Sequence, residues 1–222
     1  MRIFPFHSTR GCLSYLVTDA EGRAAALVDP SVELPLETYL TEVEKHASML
    51  AYLIETHTHA DHVSSAPELA ARTGAKIVRH ALAPATHKDI AVVGGETLLL
   101  GAETLRILSA SGHTDESIAL LADGAVFTGD ALLIGGTGRT DFQRGNSGAL
   151  YHTLHETLGE LADETIVYPA HDYRGRVAST IEAERRTNPR FALDRDAFIA
   201  TMDAHHPPEP ELFEKSIAAN SK

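Results

Sequence analysis

A single cysteine, Cys12, in 222 residues excludes an intramolecular disulfide framework and fits a reducing compartment. By residue type that thiol is a small buried apolar side chain of a strand rather than a nucleophile. Basic residues are scarce too: 19 Lys and Arg stand against 31 Asp and Glu, a formal charge of −12. No run of Lys and Arg offsets this, which argues against a nucleic-acid or anionic-membrane partner. No apolar run approaches the roughly 20 residues of a membrane span. The start, Met1-Arg2-Ile3-Phe4-Pro5-Phe6-His7, lacks the apolar stretch of a secretory signal. The expected location is the cytoplasm, or the mitochondrial matrix after loss of a targeting segment. Internal repeats and low-complexity segments are also missing.

Histidine, in contrast, is abundant, with 13 copies. Three fall in Thr56-His57-Thr58-His59-Ala60-Asp61-His62, directly after the apolar run Met49 to Ile54. If that run is a strand, its end delivers His57 and His59 to the same side. Asp61 is then expected to open the next helix, with His62 beside it. A strand-to-helix corner with imidazole and carboxylate donors is a metal cradle suited to zinc, iron or manganese. A closed structural zinc site would instead call for thiolates.

Elsewhere the patterning predicts a sheet-rich chain covered by helices. Leu13 to Thr18 and Ala24 to Asp29 flank polar turn residues and form a hairpin. Leu34 to His46 is an amphipathic helix, and Ala66 to Arg72 is a helix stopped by Thr73-Gly74. Ala75 to Arg79, Ile90 to Val93, Thr97 to Leu100 and Thr104 to Ser109 are short strands. Ile118 to Leu121 and Ala125 to Thr128 form a second hairpin across Asp123-Gly124. Leu133 to Ser147, with Gly135, Gly136, Gly138 and Gly145, is a long irregular stretch of the kind that carries function. Leu150 to Leu161 and Ser179 to Arg186 are helices either side of a strand at Ile166 to Tyr168. Asp194 to Met202 is a last helix, followed by a loose tail. These elements imply a two-sheet sandwich of mixed α/β (α+β) class with helices outside. One domain over residues 1–222 is expected, with a short helical extension from about residue 190.

Three further residues repeat the logic of the corner. His113 in Ser-Gly-His-Thr, Asp130 in Thr-Gly-Asp and His171 in Pro-Ala-His-Asp-Tyr each follow a β run directly. Taken singly each would more often be structural; four strand ends sharing one property point to a binding face. The set Thr-His-x-His-x-Asp-His, Gly-His-Thr, Thr-Gly-Asp and a final His resembles the metallo-β-lactamase superfamily over essentially the whole chain. That resemblance implies an αββα sandwich with a metal site along one edge of the sheets. It leaves the reaction open, because the superfamily includes hydrolases, nucleases, flavo-diiron proteins and dioxygenases.

A narrower resemblance lies in Thr128 to Asp141, in Tyr168-Pro169-Ala170-His171-Asp172-Tyr173 and in Glu182 to Pro189. These segments are similar to the persulfide dioxygenases of mitochondrial and bacterial sulfide oxidation. The resemblance implies an enzyme that oxidises glutathione persulfide with O2 to sulfite and glutathione at one Fe(II) per chain. His57, His113 and Asp130 would be its ligands. Two imidazoles and one carboxylate leave positions open on an octahedral ferrous ion, and zinc has no accessible redox change. His59, Asp61, His62 and His171, which complete a two-metal site in the hydrolases, would instead hold ligands and waters in place. For glutathione, with its two carboxylates, the candidates are Arg139, Thr140, Asp141, Tyr173 and Arg174. A homodimer is among the assemblies the sequence allows.

Two departures stand out. Thr58 occupies a position where animal members often have Cys, and Asp115-Glu116-Ser117 replaces the common Pro-Gly pair after Gly-His-Thr. Those two acids are expected to reshape the loop and to repel an anionic substrate. The rival readings are a glyoxalase-II-like dinuclear thioester hydrolase (hydroxyacylglutathione hydrolase) and a non-enzymatic metal-binding module. The first usually carries a longer, more basic C-terminal region, and the second does not need a complete ligand set with open positions.

Overall fold

The structure is a computed structural model that describes Met1 to Lys222. Two six-stranded mixed sheets pack face to face with helices on both outer faces, the expected αββα sandwich. The first sheet runs, in spatial and chain order alike, through β1 (Arg2–His7), β2 (Leu13–Thr18), β3 (Ala25–Val28), β4 (Leu50–Ile54), β5 (Lys76–His80) and β6 (Ile90–Val92). The second comprises β7 (Thr97–Leu100), β8 (Glu103–Ser109), β9 (Ile118–Ala122), β10 (Ala125–Gly129), β11 (Ile166–Pro169) and β12 (Ser179–Thr180). Strands β3 to β6 are parallel, as are β10 and β11; the other neighbours are antiparallel.

Alternation along each strand builds three apolar layers. Tyr15, Val17, Ala26, Val28 and Ile54 meet Leu105, Ile107, Leu120 and Phe127 between the sheets. The intervening residues Leu16, Ala25, Leu27 and Leu53 turn outward beneath α1 (Leu36–His46) and α2 (Ala66–Thr73). Strands covered on both faces therefore read as near-continuous apolar runs. The outer face of the second sheet packs on α3 (Ser147–His152), which continues as a π-helical segment over Thr153–Leu158. It also packs on α4 (Ile181–Thr187) and on α5 (Arg195–Asp203) through Phe198 and Met202.

Both expected hairpins form. The β9–β10 turn puts Asp123 at φ 47° and Gly124 at φ 74°, the doubly left-handed geometry that suits the twist of the strands. Two expectations need correction, and one element is new. Asp61 does not open a helix: α2 begins at Ala66, and Asp61 is taken up by a tertiary ion pair described below. Residues 2–7 form an edge strand, where Pro5 costs no needed ladder bond. The tail is not loose throughout, since α6 (Phe213–Asn220) folds back onto the histidine corner.

Candidate metal centre

Residues 55–63 form neither helix nor strand, yet the corner is almost fully buried. Buried backbone N–H and C=O groups must find partners, and here distant side chains supply them. Thr56 N–H donates to Asp29 at 2.7 Å and Thr58 N–H to Glu116 at 2.7 Å. Gln143 donates to the Thr58 carbonyl at 2.6 Å. Asn220 donates to the carbonyls of His59 and His62 at 2.8 and 2.9 Å and accepts from Ser64 N–H at 2.9 Å.

This frame brings His57, His113 and Asp130 together, each offering one ligand atom within 4.8 Å of the others. Their outer contacts decide which atoms remain. The Thr56 hydroxyl donates to Asp29 at 2.7 Å, so at 3.0 Å it accepts from His57 Nδ1. His113 Nδ1 donates to the Arg139 carbonyl at 2.7 Å. Both rings are thus Nδ1–H tautomers with a free Nε2 lone pair, the form that ligates a metal. Asp130 Oδ1 lies 2.6 Å from His171 Nδ1, leaving Oδ2 directed at His113 Nε2, 3.7 Å away. Burial, then the neighbouring His59, lowers the His57 pKa well below its ordinary value and keeps the ring neutral. Burial would raise the Asp130 pKa, but His171 holds it below the ordinary carboxylate range.

The remaining histidines and Asp61 meet one another and nearby acids, with His59 Nδ1 and His62 Nε2 buried and unpartnered. His171 lies 2.6 Å from Asp130 and 2.7 Å from Asp61 through its two nitrogens. Burial disfavours its charge, but the two carboxylates prevail and raise its pKa well above the ordinary value. A ring donating through both nitrogens has no lone pair for a metal. Asp61 Oδ2 also lies 3.2 Å from His62 Nδ1 and 3.5 Å from the Cys12 thiol. Cys12 is buried as expected, but it sits in an isolated bridge opposite His171 rather than inside a strand. His59 shares a face with His57, ring centroids 4.2 Å apart. Its Nε2 nevertheless turns to Asp29 at 3.2 Å and Glu55 at 3.5 Å, a separate group of titratable residues.

A cavity of about 410 Å³ opens over the centre, with Asp61, His113, Asp130 and His171 in its lining. Its wall includes Phe142 and the C-terminal residues Pro207 and Pro208. The substrate candidates are distributed unevenly around it. Arg139 lines the cavity, but its fork is filled by Asp141 at 2.5 and 2.6 Å. Its remaining donors hold the carbonyls of Pro207 and Pro208, and its guanidinium lies 3.9 Å from the Phe142 ring centroid. Thr140 is buried against Ser147, outside the lining. Tyr173, 76% exposed, stands at the mouth, and Arg174 is exposed in the adjoining groove. The acids at 115–116 do not crowd the cavity: Glu116 is buried, and Asp115 pairs with Arg144 at 3.1 Å.

Sequence reasoning missed Asp29, Glu55, Gly138, Gln143 and Asn220. Asp29 had the same signal as the ligands, an acid at a strand end. Gly138 lay in the long glycine-bearing stretch, but nothing local marked its close approach: a Cβ there would lie 2.5 Å from the Asp130 carbonyl and 2.7 Å from His113 Nδ1.

Residues 8–171 match the model of the metallo-beta-lactamase superfamily. The chain is 36% identical over 213 residues to the human protein named persulfide dioxygenase ETHE1, mitochondrial, covering 94% of this chain and 83% of the relative. A hydroxyacylglutathione hydrolase of Halorhodospira halophila is 31% identical over 207 residues, with 93% and 79% covered. The crystal structure of ETHE1 from Myxococcus xanthus superposes with a TM-score of 0.95 at 38% identity, covering 100% of this chain and 98% of that one. The chain belongs to the metallo-beta-lactamase superfamily and, within it, to the persulfide dioxygenase family.

Proposed function

We propose that this chain oxidises glutathione persulfide with O2 and water to glutathione and sulfite, at a single Fe(II) held by His57, His113 and Asp130. One observation carries the reading. Three ligand atoms converge with their outer contacts satisfied, while His171 is engaged through both of its ring nitrogens. That pattern supports one centre with open positions over the two-metal site that a thioester hydrolase uses to activate water. Iron at this site would supply the redox chemistry with oxygen that zinc lacks.

The chain's own residues then have defined tasks. Thr56 and the Arg139 carbonyl hold the two imidazoles in their ligating tautomers. The charged His171 orients the Asp130 carboxylate and places a proton donor beside the cavity. The apolar wall of Phe142 and the tail prolines restricts water at the reacting sulfur. Tyr173 and Arg174, exposed at the mouth, are the groups offered to the peptide part of the substrate. Arg139 shapes the wall instead of binding a carboxylate.

The test couples metal content to turnover. About one iron per chain, with oxygen consumed and sulfite formed from glutathione persulfide, is the expected result. Two zinc ions per chain, no oxygen uptake and cleavage of a glutathione thioester would replace this reading with the hydrolase.

A further inference from the structure

Asn220 lies at the end of α6, some 160 residues from the histidine corner, yet its side chain is 6% exposed and fully committed to that corner. Its amide group donates to two carbonyls, those of His59 and His62, and its oxygen accepts from Ser64 N–H. Its own carbonyl accepts from Arg79, itself buried, at 2.9 Å. Beyond it, the carbonyls of Ser221 and Lys222 accept from the N–H groups of Thr86 and His87 at 3.1 and 2.9 Å. The segment 59–64 therefore closes around one amide that no local sequence signal supplies.

What that segment carries gives the contact its consequence. Asp61 sits between the two carbonyls that Asn220 holds. Its Oδ2 lies 2.7 Å from His171 Nε2, and His171 Nδ1 lies 2.6 Å from Asp130 Oδ1. Hydrogen bonds on either side of the covalent corner backbone thus link α6, through Asp61 and His171, to the carboxylate that faces the metal position.

We infer that Asn220 is a positioning residue of the metal centre, making the C-terminal helix part of the apparatus that sets metal affinity. This inference rests on His57, His113 and Asp130 being the ligands. Replacing Asn220 frees the 59–64 segment, lets Asp61 drift from His171 and leaves Asp130 free to rotate. Loss of such outer contacts typically weakens a metal site about 10- to 100-fold.

The experiment titrates Co(II) into metal-free full-length protein, reading its visible ligand-field spectrum, with Fe(II) affinity measured anaerobically against a chelator. Wild type, N220A, N220D and A218G are compared. N220D keeps the size of the side chain and the acceptor for Ser64 but removes both donors. A218G weakens the exposed face of α6 and leaves Asn220 in place, so it reports helix stability alone. The expected result is a loss of affinity of about tenfold or more in both Asn220 variants, with a changed Co(II) spectrum. A218G should match wild type in both readouts even where its melting temperature falls as far. Asn220 variants with wild-type affinity and spectrum would overturn the inference. Wild type that binds no Co(II) would instead overturn the ligand assignment. Hydrogen exchange on wild type keeps the question decidable if the variants do not fold. By linkage, metal binding should slow exchange across residues 213–222, and unchanged exchange there would refute the coupling.

Discussion

Glu116 offers a quantitative test of how the two ligand loops are joined. Its Oε1 accepts from Thr58 N–H at 2.7 Å and from the Thr114 hydroxyl at 3.2 Å, bracing the His57 loop against the His113 loop. Glu116→Ala removes the acceptor. Thr114 keeps Ser117 at 2.8 Å, so a single buried donor, Thr58 N–H, is orphaned. That costs about 1–3 kcal/mol, and the void left behind adds about 1 kcal/mol. Glu116→Gln keeps Oε1 and removes the charge. Burial raises the Glu116 pKa against the pull of its Thr58 and Thr114 bonds, and the sign of the pH effect follows. An acid whose folded pKa is raised gives stability that is complete below its unfolded value of about 4.5 and lost as pH rises through the folded value. Gln does not ionise, so its stability relative to wild type should improve from pH 4 to pH 8. The assay is denaturant unfolding of the metal-free proteins at both pH values. A Gln variant as damaged as Ala at pH 8, or an Ala variant within about 0.5 kcal/mol of wild type, would refute the brace.

Other perturbations separate ligands from supports. Asp130→Ala should abolish iron retention and oxygen uptake, whereas His171→Gln should weaken iron binding without abolishing it and impair turnover more; equal loss would make His171 a ligand. Arg139→Ala should release the tail, seen as faster proteolysis within residues 205–212. Its apparent KM should rise by up to about tenfold, since a charged hydrogen-bonded pair is worth roughly 1.5 kcal/mol; unchanged proteolysis would show that the tail is held otherwise. Asp141 is held at about 2 by Arg139, so its contribution is present above pH 4 and lost as pH falls through 2. After screening it amounts to about 1–2 kcal/mol, and Asp141→Asn should flatten the acid limb of the stability curve by that amount. Gly138→Ala should displace His113 and eliminate metal binding while the far-ultraviolet circular dichroism stays native.

The sandwich, both hairpins and the titratable residues around the centre other than Cys12, Asp29 and Glu55 were legible in the chain's local patterning. These features are local: period-two apolar runs record two-sided burial, and a histidine directly after such a run must emerge at a sheet edge. Which of those residues keep a lone pair or a donor to offer follows from contacts between distant segments. Whether His171 is a ligand or a charged support depends on Asp61, 110 residues away. Whether Arg139 binds substrate or the tail depends on Asp141 and on carbonyls 68 and 69 residues further on. The helix at Phe213–Asn220 escaped notice because its burial comes from contacts with the corner rather than from an apolar stripe of its own. Chain patterning records how much of a side chain is covered, while hydrogen-bond geometry assembled from distant segments sets the tautomer, the charge and the direction in which each one points.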